Sequence, residues 1–197
     1  PFPGFQSNDV VAFVGGEDVV EMHRLGYVEL LLTRALPAQH LRFRGLGWEG
    51  DTVYEQPREL NFPKWPEQLK RTGATVVLCQ FGQAEVLPGA ARPESFIAAY
   101  GRLLDALTTQ VPRVILLSPT PFERGSGMRP DLSVHNPGLA KAVEAIRALA
   151  DQRGLAFVDL FNAPTALGKS APQTRDGWHL NTAGQWSAAR RIAEQLG

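Results

Sequence analysis

Val10-Val11-Ala12-Phe13-Val14-Gly15-Gly16-Glu17-Asp18 decides how the chain is read. An unbroken apolar run of this length suits a strand buried on both faces, as in a parallel sheet. Two glycines end it. They permit a tight turn and the close approach of backbone to a ligand, and the spacing beyond them predicts a helix beginning near Val19. In an open α/β sheet, ligands lie outside the carboxyl ends of the strands. Glu17 and Asp18 therefore stand where a site is expected.

Outward from that turn, residues 19–35 carry Val19, Met22, Leu25, Val28, Leu31 and Leu32 at helical spacing, and Pro37 marks the end. The alternating residues 40–44 read as a second strand. A glycine-dense loop, Gly45-Leu46-Gly47-Trp48-Glu49-Gly50-Asp51, opens a long irregular stretch to about Pro66, and long loops in compact domains are usually functional. A short helix over 67–72 precedes a strand over 74–80, which closes on Phe81-Gly82-Gln83-Ala84-Glu85. A helix over 93–109, a strand over 113–118, a helix to about Arg153 capped by Asn136 with Pro137 at its first position, a strand over 155–160 and a helix over 182–196 complete the chain. Strand alternating with helix five times predicts a single domain over 1–197. Its fold is a three-layer α/β/α sandwich around a five-stranded parallel sheet, in the flavodoxin-like order 2-1-3-4-5.

Composition sets outer limits on function. Twenty Lys and Arg balance twenty Asp and Glu, so no field steers the chain to nucleic acid or anionic membrane. No apolar run approaches the ~18 residues of a membrane span; a soluble domain is expected. The chain opens at Pro1 without an initiating Met, which fits an exported protein or a piece of a larger bacterial one. The single cysteine, Cys79, lies in an apolar run and reads as a buried structural thiol.

The predicted order brings four loops to one edge: Gly15-Gly16-Glu17-Asp18, Gly47 to Asp51, Gly82-Gln83-Ala84-Glu85, and Asp176-Gly177-Trp178-His179. An Asp three residues before a His, just ahead of a helix, is a compact acid–imidazole pair in which the acid can fix the tautomer and stabilise the imidazolium. Trp48, Phe81 and Trp178 can line an acyl or carbohydrate pocket, with a core role the plainer reading of Phe81. Arg124 and Arg129 read as solvated loop charges.

In the order and spacing of these four loops the chain resembles the SGNH (GDSL-type) hydrolases over essentially its whole length, and most nearly a branch found in planctomycete-type proteins, where Gly-Trp-x-Gly-Asp and Phe-Gly-x-x-Glu recur. The resemblance implies an esterase of small-molecule or carbohydrate esters with no cofactor, in which a serine attacks, a histidine is the base, and a glycine N–H and an asparagine help form the oxyanion hole. Position by position, Gly15, Gly50, Gly82, Asp176 and His179 match. Gly16 stands where that pattern has Asp, Glu17 where it has the serine, Ala84 where it has the asparagine, and Glu85 at the following acid.

Those departures change the expected chemistry. A carboxylate attacking an ester gives an anhydride, less stable than a serine ester, and losing an oxyanion donor typically costs ~10²–10³ in rate. A serine from elsewhere on the rim would have to be Ser118, Ser126 or Ser133. Alternatively, Glu17 acts as nucleophile on saturated carbon or as general base, with His179 activating water. Glu17, Glu85, Asp176 and His179 could also converge on a metal, although no tight ligand spacing supports one. A binding domain on the same scaffold, with Glu17 and His179 ion-paired across the old site, remains a further reading.

Overall fold

A computed structural model describes residues 3–87, 93–125, 127–163 and 171–197. In chain order the elements are β1 (Val10–Gly15), α1 (Glu17–Leu25), α2 (Tyr27–Ala35), β2 (Arg42–Gly45), α3 (Trp65–Thr72), β3 (Val76–Gln80), α4 (Gln83–Val86), α5 (Pro93–Thr108), β4 (Val114–Leu117), α6 (Asn136–Arg153), β5 (Ala156–Val158) and α7 (Thr182–Leu196). All five strands are parallel, in the expected order β2-β1-β3-β4-β5.

The apolar run of β1 is continuous because both faces of the sheet are covered. Successive side chains point to opposite faces. Val11 and Phe13 pack with Val19 and Met22 of α1, Val28 and Leu32 of α2 and Ile192 of α7. Ala12 and Val14 face the other way, toward Leu69 of α3, Tyr100 and Leu104 of α5 and Ile146 of α6. Each fully buried Leu, Ile or Phe stabilises the fold by about 1.5–3 kcal/mol, so the two half-cores make the sheet the rigid member against which loops are positioned.

The amino-terminal edge of the sheet is closed by an ion pair. Asp9, just before β1, accepts from Gln6 N at 2.7 Å, the Thr75 hydroxyl at 2.8 Å and Arg113 Nη1 at 2.9 Å. Burial alone would raise this carboxyl, but the Arg113 guanidinium and the two other donors outweigh it and hold the pKa below its ordinary value. Loops at the opposite, carboxyl edge remain for a site.

Two expectations are corrected. The helix over 19–35 is two helices, and the first begins at Glu17. Gly26 adopts φ +69° and its N–H returns to Met22 O at 3.2 Å, ending α1 in a left-handed cap that no apolar periodicity announces. Nor does Asn136 cap α6. Its side-chain amide instead accepts from Phe122 N and donates to Phe122 O, both at 2.9 Å, tying the loop after β4 to the helix. Cys79 is buried as expected, and burial pushes its thiol up to about 12.

Candidate active site

The loop after β2 is zipped to the end of β1: Leu46 N donates to Phe13 O at 2.9 Å and Trp48 N to Gly15 O at 3.1 Å. A Cβ on Gly47 would lie 2.8 Å from Gly15 O, so only glycine allows this approach. The loop then turns at Gly50, in the left-handed region at φ +82°. There the Gly50 N–H donates to Glu17 Oε1 at 3.0 Å. Glu17 is thus held from two sides, by this amide and by the amino-terminal end of α1, where an anion is favoured. Gly16 contributes proximity, since a Cβ there would lie 3.1 Å from Asp51 O.

Three further carboxylates surround Glu17. Asp18 is buried, accepts from the Thr120 hydroxyl at 2.8 Å and faces Leu180 N at 3.5 Å, and desolvation pushes its pKa up to about 6. Asp51 takes both arms of the Arg58 guanidinium at 2.7 Å, and that guanidinium lies 4.9 Å from the Trp48 ring centre and 5.9 Å from that of Phe62. Glu85 accepts from Val53 N at 2.8 Å and Gly82 N at 2.9 Å, strapping the loop after β3 to the loop after β2. Burial is the main cause that raises Asp51 and Glu85, and the Glu17 charge adds to the rise at all three acids. Between them lies a cleft with about 20 Å³ of room for water, whose lining includes no Lys, Arg or His.

Asp176 and His179 lie outside that lining, in the loop before α7. Asp176 Oδ2 lies 2.6 Å from His179 Nδ1, while Oδ1 accepts from Trp178 N at 3.0 Å and His179 N at 2.8 Å. Burial would raise this acid, but His179 and the two amides outweigh it and lower its pKa. The Trp178 ring stacks on the imidazole, 4.9 Å between centres at 18°. From Trp178 Nε1 a chain of hydrogen bonds runs to Gln83 Oε1 at 3.0 Å, from Gln83 Nε2 to Thr120 O at 2.9 Å, and from the Thr120 hydroxyl to Asp18. Asp18 and Leu180 are in contact, and they directly follow Glu17 and His179. Through that contact the loop carrying Glu17 and the loop carrying His179 are neighbours at the carboxyl edge.

A family model for GDSL-like lipases and acylhydrolases matches residues 15–186, from the end of β1 into α7. The chain belongs to the GDSL-like lipase/acylhydrolase family. Among solved structures, it is similar to the acetylxylan esterase Axe2 from Geobacillus stearothermophilus, at TM-score 0.73 and 17% identity over 98% of this chain and 96% of that one. It is similar at TM-score 0.74 and 16% identity to a gut microbial diltiazem-metabolizing enzyme, covering 98% of this chain and 48% of that one. A GDSL-like lipase candidate from Parabacteroides merdae aligns over the full length of both chains, at TM-score 0.73 and 17% identity. No curated protein sequence matches the chain closely enough to mark a relative.

Within this member of the GDSL-like family, the structure brings Glu17, Gly16, Gln83, Ala84 and Glu85 to the cleft and places Gly50 on Glu17. Ala84 lines the cleft but carries no side-chain donor. Trp178 backs His179, whereas Trp48 stands off the cleft, 57% exposed over Arg58. Phe81 is core. The expected ion pair between Glu17 and His179 is not formed: Glu17 bonds Gly50, and His179 bonds Asp176. Neither described serine can serve as a substitute nucleophile. Ser118 Oγ is buried, accepting from Leu160 N at 2.8 Å and Phe161 N at 2.9 Å, and the Ser133 hydroxyl is bound to Asp131; Ser126 lies outside the described residues. Among the described residues no group of three or more acids, histidines or cysteines is placed to hold a metal ion. Arg124 and Arg129 are both exposed, as expected of solvated loop charges, and Arg129 also donates to Arg175 O at 2.6 Å, bracing the histidine loop. Thr120 carries no sequence signal for its role, since it depends on an acid from another loop, and Arg58 meets Asp51 only because the long loop after β2 folds back on itself.

Proposed function

We propose that this domain is a hydrolase of the GDSL-like fold that works through a carboxylate instead of a serine. Asp176 and His179 activate water, and Glu17 holds the nucleophile's seat against a small-molecule substrate. Catalytic variants of Axe2 alter a serine, an aspartate and a histidine; this chain has Glu17, Asp176 and His179. The observation that carries the reading is the 3.0 Å bond from Gly50 N–H to Glu17 Oε1. An ester carbonyl needs that amide free, and Ala84 supplies no second side-chain donor. With both lost, the serine route has neither its nucleophile nor a complete oxyanion hole. A second reading, a domain that only binds an acyl or carbohydrate ligand, is favoured by the same occupied amide.

p-Nitrophenyl acetate and butyrate hydrolysis by wild type, Glu17→Ser, Glu17→Ala and His179→Ala tests the serine question. The expected result is no His179-dependent hydrolysis by wild type or Glu17→Ala, and a gain in Glu17→Ser that needs His179. Wild-type hydrolysis with a burst, abolished in His179→Ala, would overturn the proposal. The binding reading requires ligand affinity to be indifferent to loss of His179.

A further inference from the structure

We infer that the site is built for displacement at saturated carbon, with Glu17 Oε2 attacking an uncharged, unhindered alkyl electrophile such as a primary halide or terminal epoxide. This rests on the hydrolase reading above and names its substrate class. Oε1 is held by Gly50 N–H, and Oε2 accepts no hydrogen bond from the described residues. A carboxylate is a poor partner for an ester carbonyl but a sound nucleophile toward sp³ carbon, where the product is a stable alkyl ester.

The retained parts then each have work. In the first step the Glu17 Oε2–carbon bond forms and the carbon–halogen bond breaks, halide leaving with the electron pair; with an epoxide the ring oxygen leaves and takes a proton from solvent. In the second, His179 removes a proton from water, whose oxygen attacks Glu17 Cδ. Negative charge develops on Oε1, and the Gly50 amide already donates to that oxygen. Collapse breaks the Cδ–Oε2 bond, and the imidazolium returns its proton to the departing alkoxide. Glu17 is left as the carboxylic acid with one oxygen from water, and it regains its carboxylate by releasing that proton to solvent. The oxyanion donor, idle toward an external ester, thus serves the enzyme's own carboxyl, and no asparagine is required at Ala84.

The cleft also sets selectivity. Its lining offers Asp18, Asp51 and Glu85 but no cation, so anionic electrophiles are repelled. Its room of about 20 Å³ beside Glu17 is enough for the single water that the second step consumes.

The test uses 1-bromobutane and 1,2-epoxybutane. His179→Ala should accumulate an alkyl ester on the peptide containing Glu17, found by peptide mass mapping, and Glu17→Gln should lose it. Wild type in a single turnover with heavy-oxygen water should place the label in the Glu17 carboxyl and leave the product alcohol unlabelled, a readout that stands even if His179→Ala fails to fold. 4-Bromobutyrate should give neither signal. Turnover with the label in the alcohol and no adduct would make Glu17 a general base; displacement is then overturned while the hydrolase reading survives. No adduct and no turnover with either probe overturns displacement, and if ligand binding is also indifferent to loss of His179, the hydrolase reading falls with it.

Discussion

Asp18→Asn should change the pH dependence of stability in a direction and amount set by one buried carboxylate. Asp18 sits under the site with its pKa raised from 3.8 to about 6, chiefly by desolvation. A raised acid favours the fold while protonated: that stability is fully present below 3.8 and is lost as pH rises through about 6. From these two values, ionisation costs the fold about 1 kcal/mol near pH 4.5 and about 3 kcal/mol near pH 7.5. Asparagine is isosteric and neutral. Its changed hydrogen bonds to Thr120 and Leu180 carry a fixed cost that cancels between the two conditions. The stability of Asp18→Asn relative to wild type should therefore improve by about 2 kcal/mol from about pH 4.5 to about pH 7.5, measured by urea unfolding at each pH. Repeating the pair in a His179→Gln background separates Asp18 from the imidazole that faces it. A relative stability unchanged across this interval would refute the desolvation reasoning.

Other perturbations test the scaffold that holds the site. Asp9→Asn should cost about 1.5–3 kcal/mol at neutral pH, the worth of hydrogen bonds to a charged group. Because the Asp9 pKa is lowered, its contribution is present above the ordinary carboxylate value and lost as pH falls through the depressed one, so the deficit of the variant should vanish in acid. Arg58→Met leaves Asp51, a side chain with 0% exposure, without its counter-ion; the loss expected in urea melts is about 3–5 kcal/mol, and adding Asp51→Asn should recover much of it. Gly177→Ala sets a Cβ 2.7 Å from Glu123 O at φ +95°. The backbone strain alone is about 1–2 kcal/mol, and Tm should fall by at least about 2 °C.

The fold was legible because its signals are local and repeated. Val10 to Val14, Val76 to Cys79 and Val114 to Leu117 are apolar runs whose parallel partners cover both faces, and the helices between them carry apolar residues at helical spacing. Gly26 was not legible as a break, because a glycine inside a helical pattern is tolerated in many helices and only packing of α2 against α7 and α1 against the sheet decides otherwise.

For the site, sequence alone determined the inventory: an acid and a histidine three residues apart, Glu17 and Ala84 in the loops after the first and third strands, and glycines at 15, 50 and 82. The tertiary structure decided how they are used. Whether Glu17 pairs with His179 or with Gly50 depends on a loop thirty-three residues downstream turning at a left-handed glycine, and whether Asp18 is an exposed helix-capping acid or a buried one depends on Thr120 and Leu180 closing over it. Hydrogen-bond partners and desolvation are set by distances between segments remote in the chain, and no local pattern of side chains carries those distances.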